Sequence, residues 1–324
     1  MQTHHATFRL AIFQWIILLV VSLAGVAAAA AQSASDPVKR VLVVYENDST
    51  LAAAVEVAQG LRTSMQAEMP ATIEIYSDYL DVVRFPQADH VQRLVADLTA
   101  KYADIKFDVV MAVGPGALKF LTENKAIAGA DTPVVFGAVT DSSVRRNPLP
   151  ATAKGVISHF DVRKTMDLAM TLQPDAKNIV VMTGSSAFDK SWQDTARQEL
   201  ADSYAGLRVS YVSDLTIEGF VEAARQLPRQ TILLVLTIFE DSAGRTFVPR
   251  DAAALIAPQS GAPVYGVYST FLGTGAVGGY VGTFHAIGEQ MGKLGAQVIK
   301  GDFSAPQSSL VVDGPLVDWH RILH

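Results

Sequence analysis

The sequence predicts an α/β protein of two lobes, each built on a parallel sheet with helices on both faces. Three observations carry this. Apolar runs of strand length alternate with segments of 3.6-residue apolar period from Lys39 onward. The runs are continuous rather than alternating, as strands covered on both faces require. The series also breaks once, near its middle, and then resumes.

Arg40 to Tyr45 (RVLVVY) reads as the first strand, followed by Asn47-Asp48-Ser49 and a helix with Leu51, Val55, Ala58, Leu61 and Met65 on one face. The unit repeats with a strand at Thr72 to Tyr76 before a helix from Gln87, and a strand at Asp108 to Val113 before a helix from Gly116. Pro133 to Val139 is a fourth strand. Between Thr140 and Lys154 the segment TDSSVRRNPLPATAK holds two prolines and no period, and it reads as the crossover between lobes. Strands then follow at Gly155 to Ser158, Asn178 to Met182, Arg208 to Val212 and Thr231 to Ile238. Helices begin after Asp161, Phe188, Thr216 and Pro249, and a last one carries Ile287, Met291, Leu294 and Val298. The expected division is residues 1–31 as a signal peptide, 38–141 plus 280–306 as the first lobe, 155–272 as the second, and 307–324 as a tail without clear pattern.

The stretch Ala262 to Gly282 places a short buried strand (Val264 to Val267), a polar aromatic loop and a glycine-dense return within one segment. Gly273, Gly275, Gly278 and Gly279 let backbone approach backbone there. Gly273-x-Gly275-x-x-Gly278 matches a dinucleotide fingerprint in letters only. That motif needs a helix opening at its last glycine and an acidic residue about twenty positions on. Here extended chain continues through Gly282, and the twentieth position is Val298.

With 49% apolar and 18% charged residues over 324 positions, the chain has enough apolar content for two cores. A formal charge of -6, with basic residues scattered except for Arg145-Arg146 beside Pro148 and Pro150, argues against a nucleic-acid partner. Arg9, an apolar run from Leu10 to Val26 and the small-residue sequence Ala29-x-Ala31 have the layout of a secretory signal peptide. The alternative is an uncleaved anchor, because Leu10 to Ala31 matches the roughly twenty residues that span a bilayer. The absence of cysteine excludes disulfides and an N-terminal lipid-modified cysteine. The mature chain is expected in a bacterial periplasm.

Four segments together carry a family resemblance: AVGPGAL (Ala112 to Leu118), PVVFGAVTD (Pro133 to Asp141), LQPDAKNIVVMTG (Leu172 to Gly184) and PVYGVYSTFLGTGAVGGY (Pro263 to Tyr280). From Lys39 to Pro306 the chain resembles the periplasmic substrate-binding proteins of ABC transporters, in the branch related to aromatic amino acid binders. The resemblance implies a type I periplasmic-binding-protein fold and closure on a small solute. Phe239 to Ala254 is similar to a subset in which this fold is the extracytoplasmic input domain of a sensor histidine kinase. That subset continues into a membrane span and a kinase domain, which this sequence does not contain after Trp319. The departure leaves either a free binding protein or a truncated sensor input; the expected partner is an ABC permease or a membrane sensor, and the protein is expected to be a monomer.

Ligands of such sheets bind at the carboxyl ends of strands. Gly114, Pro115 and Gly116 in one lobe and Ser185 and Ser186 in the other follow strands and open helices, so each is a candidate anion site for a ligand carboxylate. Either loop would equally serve only as a helix cap. Asp48, Asp141, Asp189, Glu240 and Asp241 lie at strand ends as acceptors for a ligand ammonium, with Asp141 preferred. Asn47, Ser49, Thr140, Tyr268 and Thr270 complete the candidate set, and the expected solute is carboxylate-bearing and amino-acid-like. Tyr45, Phe239, Tyr268 and Phe271 would stack on an apolar ligand body, although Tyr45 and Phe239 also suit a core.

No cofactor, metal or catalysis is expected. The seven histidines show no metal-ligand spacing, and the sequence has neither a G-x-S-x-G elbow nor a P-loop. His159 beside Asp161 reads as part of a helix cap, which also weakens a Ser185-Ser186-His159 hydrolase site. Exported protein is expected to begin at Gln32. Mass spectrometry of a periplasmic extract tests this, and an intact chain from Met1 in the membrane fraction would establish the anchor instead.

Overall fold

A computed structural model describes residues 38–69, 73–140, 143–144, 149, 153–310, 314–318 and 320. The expected signal peptide, Asp141 and Arg145-Arg146 lie outside the described residues. The chain runs through β1 (Lys39–Tyr45), α1 (Ala52–Glu68), β2 (Ile73–Tyr79), α2 (Ala88–Lys101), β3 (Val109–Val113), α3 (Pro115–Glu123), β4 (Val134–Thr140) and β5 (Ala153–Ser158). It continues with α4 (Val162–Leu172), β6 (Asn178–Met182), α5 (Ala187–Leu200), β7 (Ser203–Tyr204), β8 (Leu207–Val212), α6 (Ile217–Arg225) and β9 (Thr231–Val235). The last elements are α7 (Pro249–Ile256), β10 (Val264–Tyr265), β11 (Gly278–Val281), α8 (Phe284–Ile299), β12 (Ser308–Leu310) and β13 (Gly314–Val317).

The first sheet has the order β12-β5-β4-β3-β1-β2, with every pairing parallel. Its central strands are apolar throughout because each face meets its own core. Val41, Val43 and Tyr45 of β1 join one cluster with α1 and α8, while Leu42 and Val44 join another with α2 and α3. The second sheet has the order β13-β11-β10-β9-β6-β8-β7. It is parallel except at its two edges, where β7 and β13 pair antiparallel to their neighbours. Two helix pairs, α4 with α5 and α6 with α7, accompany it.

Three expectations change. The segment Thr140 to Lys154 does not cross between lobes: it joins β4 to β5, which are paired neighbours in one sheet. Gly155 to Ser158 therefore belongs to the first lobe, and the crossing comes after Ser158, just before Asp161 caps α4 by accepting from the Lys164 N–H at 2.8 Å. Periodicity identifies a strand but not the sheet that receives it. At the other junction, Tyr280 and Val281 remain in the second sheet, and the chain returns to the first lobe at α8. The described part of the tail is also structured. β12 extends the first sheet and β13 closes an edge of the second, where Pro315 is tolerated. The chain thus passes between lobes three times.

The return of α8 depends on its contact with α1. A methyl group added at Gly60 would overlap the His285 carbonyl oxygen, and one at Gly288 would overlap that of Val57. The two backbones touch because neither residue has a side chain. Gly288→Val is expected to destabilise the protein by about 1–3 kcal/mol, the usual cost of overpacking. A melting curve measures it, and an unchanged melting temperature would mean the seam yields without cost.

Candidate ligand-binding cleft

The strand ends of the two sheets border one cavity of about 530 Å³. From the first lobe come Tyr45, Glu46 and Asn47 after β1, Gly114 and Pro115 at the start of α3, and Thr140 at the end of β4. A register shift in β4 places Ala138, at φ 53°, on the cavity wall. A non-glycine residue in the left-handed region beside a site is strain that the surrounding sheet holds in place. From the second lobe, α5 presents Phe188, Ser191, Trp192, Thr195 and Glu199, one face at helical spacing.

Aromatic rings line the cavity in two groups. Tyr268 lies 4.9 Å from Phe160, 5.7 Å from Trp192 and 5.8 Å from Phe284 between ring centroids, nearly parallel to the last. Phe188 meets Phe239 edge to face at 5.3 Å. Such tilted and offset contacts fix ring orientation beyond what burial alone achieves. Burial drives the Tyr268 hydroxyl well above the usual phenol range, and the Asp189 carboxylate adds to the shift.

Glu46 rests on the start of α3. The Gly116 N–H donates to its carboxylate, which packs directly on the backbone of Gly114 and Gly116. Any Cβ at those positions would displace it, and Gly114 at φ 96° also adopts a conformation that favours glycine. Burial pushes the Glu46 carboxyl up to about 7, against the opposing effect of the Gly116 N–H. Burial likewise raises Glu199, with Asp161 adding to the shift and His159 opposing it. The Ser158 hydroxyl is buried at the cavity wall and has no hydrogen-bond partner among the described residues.

Six of the anticipated residues line the cavity: Asn47, Gly114, Pro115, Thr140, Tyr268 and Thr270. Tyr45, Phe239 and Phe271 reach it as well. The others lie elsewhere for identifiable reasons. Asp48 accepts from the Thr50 N–H at 2.8 Å and pairs with Arg84 at 3.4 Å, and Ser49 is exposed. Gly116 holds Glu46. Ser186 and Asp189 form the capping box of α5, and the fully buried Asp189 carboxylate accepts from Ser186 Oγ at 2.7 Å and from the Phe239 and Glu240 N–H groups at 3.1 and 3.3 Å. Ser185 donates its N–H to the Glu240 carbonyl, and Glu240 bridges to Thr246. Asp241, another strand-end acceptor, is buried and takes N–H donors from Ile217, Ala243 and Arg245, so it ties a loop together. Asp141 lies outside the described residues.

The reading of the sequence passed over Glu46, Trp192, Glu199 and Arg250. Glu46 directly follows the first strand and was legible by position. Phe188, Trp192 and Thr195 share helical spacing, but spacing alone cannot tell a face that meets a core from one that meets a cleft.

No protein-family model matches this chain, and no curated protein matches it. Solved structures match over most of its length. The ABC domain in complex with L-Trp from Streptococcus pneumonia has a TM-score of 0.66 at 16% identity, covering 88% of this chain and 93% of that one. A ligand-free, open substrate-binding protein with adhesive properties from Clostridium difficile has a TM-score of 0.63 at 17% identity, covering 88% and 93%. A carbohydrate transporter solute-binding protein from Agrobacterium Radiobacter, in complex with D-arabinose, has a TM-score of 0.57 at 9% identity, covering 87% and 95%. The fold is that of the two-lobed type I periplasmic binding proteins. Among the described residues, no helix is long and apolar enough to cross a membrane.

The Glu46 shift has a consequence for stability. Its carboxyl goes from 4.5 to about 7 on folding. A raised carboxyl favours the folded state fully below its unfolded pKa, and that stability is lost as pH rises to about 7. Glu46→Gln is therefore expected to melt at a progressively higher temperature than wild type as pH rises from 5 to 8. The difference corresponds to roughly 2–3 kcal/mol. Parallel melting curves across this range would refute the shift.

Proposed function

We propose that the chain is a periplasmic solute-binding protein that closes its lobes on a small organic ligand and delivers it to an ABC-type permease. The supporting observation is the interlobe cavity, lined both by aromatic rings and by polar residues at strand ends. Its volume falls within the range of small-molecule sites, roughly 300–1,000 Å³. Solved proteins of this fold hold L-Trp in one case and D-arabinose in another, so the fold alone leaves the ligand class open.

The mechanism follows from population shift. A ligand that touches both Glu46 and Trp192 makes its full set of contacts only when the lobes approach, so it stabilises the closed form over the open one. The chain crossings after Ser158 and before Phe284 serve as the hinge. One interlobe hydrogen bond, Ser269 Oγ to Glu56 at 3.3 Å, links α1 to the loop after β10. A sensory reading keeps the same cleft and closure but gives the closed form a membrane sensor as partner. The resemblance of Phe239 to Ala254 supports it, and Arg245, tied to Glu218 and Asp241, makes that loop a fixed surface.

A thermal-shift panel of amino acids, amines and sugars on the chain from Gln32 tests the function. A ligand at about 100 times its Kd adds roughly 2.7 kcal/mol. Thr195→Trp, which fills the cavity from α5, is expected to retain the fold and abolish the shift. A shift that survives Thr195→Trp would place binding elsewhere.

A further inference from the structure

We propose that the ligand of this cleft is an organic ammonium ion, an amine on a flat apolar body without a carboxylate, and that Glu46 is the residue that selects its charge. This rests on the solute-binding reading and narrows it to one chemical class.

The sign of the cavity is the first argument. Glu46, Asp194 and Glu199 line it, against the guanidinium of Arg250 and the imidazole of His159. Arg250 also interacts with the Glu56 carboxylate, which draws part of its charge away from the cavity. The two helix starts that would receive a ligand carboxylate already hold carboxylates of the protein, Glu46 on α3 and Asp189 on α5. A zwitterion would bring a further negative group among these, and like charges in a partly desolvated cleft repel strongly.

The second argument is the aromatic lining of the cavity. The faces of aromatic rings attract cations, most strongly where water is excluded. The group of Phe160, Trp192 and Tyr268 provides both an apolar bed and that attraction. The third is the unpartnered hydroxyl of Ser158, buried at 3% exposure on the cavity wall. An ammonium is a donor only and needs acceptors in several directions. Ser158 and Asn47 line the same cavity as Glu46, and each side chain carries an oxygen acceptor. Burying one without a partner has a cost that a bound donor removes.

Calorimetry at pH 8, where Glu46 with its pKa of about 7 is ionised and the amines remain protonated, decides between the alternatives on the chain from Gln32, with tryptamine and phenethylamine compared against L-tryptophan, L-phenylalanine and D-arabinose. The amines are expected to bind at least tenfold more tightly than the amino acids that differ from them by a carboxylate. Glu46→Gln is expected to weaken the amines at least thirtyfold while narrowing their advantage over the amino acids. Amino acids binding as tightly as the amines would overturn the inference, as would unchanged amine affinity in a folded Glu46→Gln variant. The wild-type comparison decides even if that variant does not fold. Binding of D-arabinose alone would overturn the inference and leave the solute-binding reading in place. Binding of none of the five would count against both.

Discussion

The close contact of α1 with α8 is the constraint on which the rest of the architecture depends. It brings the chain back to the first sheet after the second is almost complete, so the second lobe is an excursion from the first. Gly60 and Gly288 set its distance, since each lies against a carbonyl of the other helix. Ile287, Met291 and Leu294 of α8 then share a core with Val57, Leu61 and Met65 of α1. If this seam opened, β1 and β3 would lose the cover on one face, and the strand ends that carry Glu46 and Gly114 would lose their position.

The electrostatics of the cleft follow from which group occupies each helix start. A helix N-terminus attracts an anion through its free N–H groups and its dipole. In this protein the anions belong to the chain itself. Asp189 does so as a buried cap with every contact internal, which makes it structural. Glu46 differs because its carboxylate borders the cavity, where it can answer both to α3 and to a ligand. The same physical device thus closes a helix start inside the core of one lobe and at the cavity border of the other.

Much of the fold was legible in the sequence because β1, β3, β6 and β9 are uninterrupted apolar runs and the helices between them keep their period. The order of the strands was less so. β5 follows a proline-rich, patternless segment, and nothing local distinguishes a return to the same sheet from a passage to the next. β12 and β13 are too short to carry a period at all. The site was legible where backbone position decides, as for Asn47, Gly114 and Thr140 at strand ends. It was not legible where competition between partners decides. Ser186 and Asp189 have the right chemistry for a ligand, but they bond to each other three residues apart, and only the coordinates show which acceptor wins. Trp192 was hidden for the opposite reason, since an aromatic residue on a helix face reads as core.

The three passages between lobes also govern when the chain can fold. A polypeptide ending before Phe284 contains five strands of the first sheet yet lacks α8, so Val57, Leu61 and Met65 have nothing to cover them. The second sheet is similarly incomplete until β13 pairs with β11. Such long-range closures are slow, because the entropy of a large loop must be lost before the contacts reward it. The order of synthesis therefore keeps both lobes unfinished until β13 has emerged, so neither lobe can close as an independent unit before the other is made.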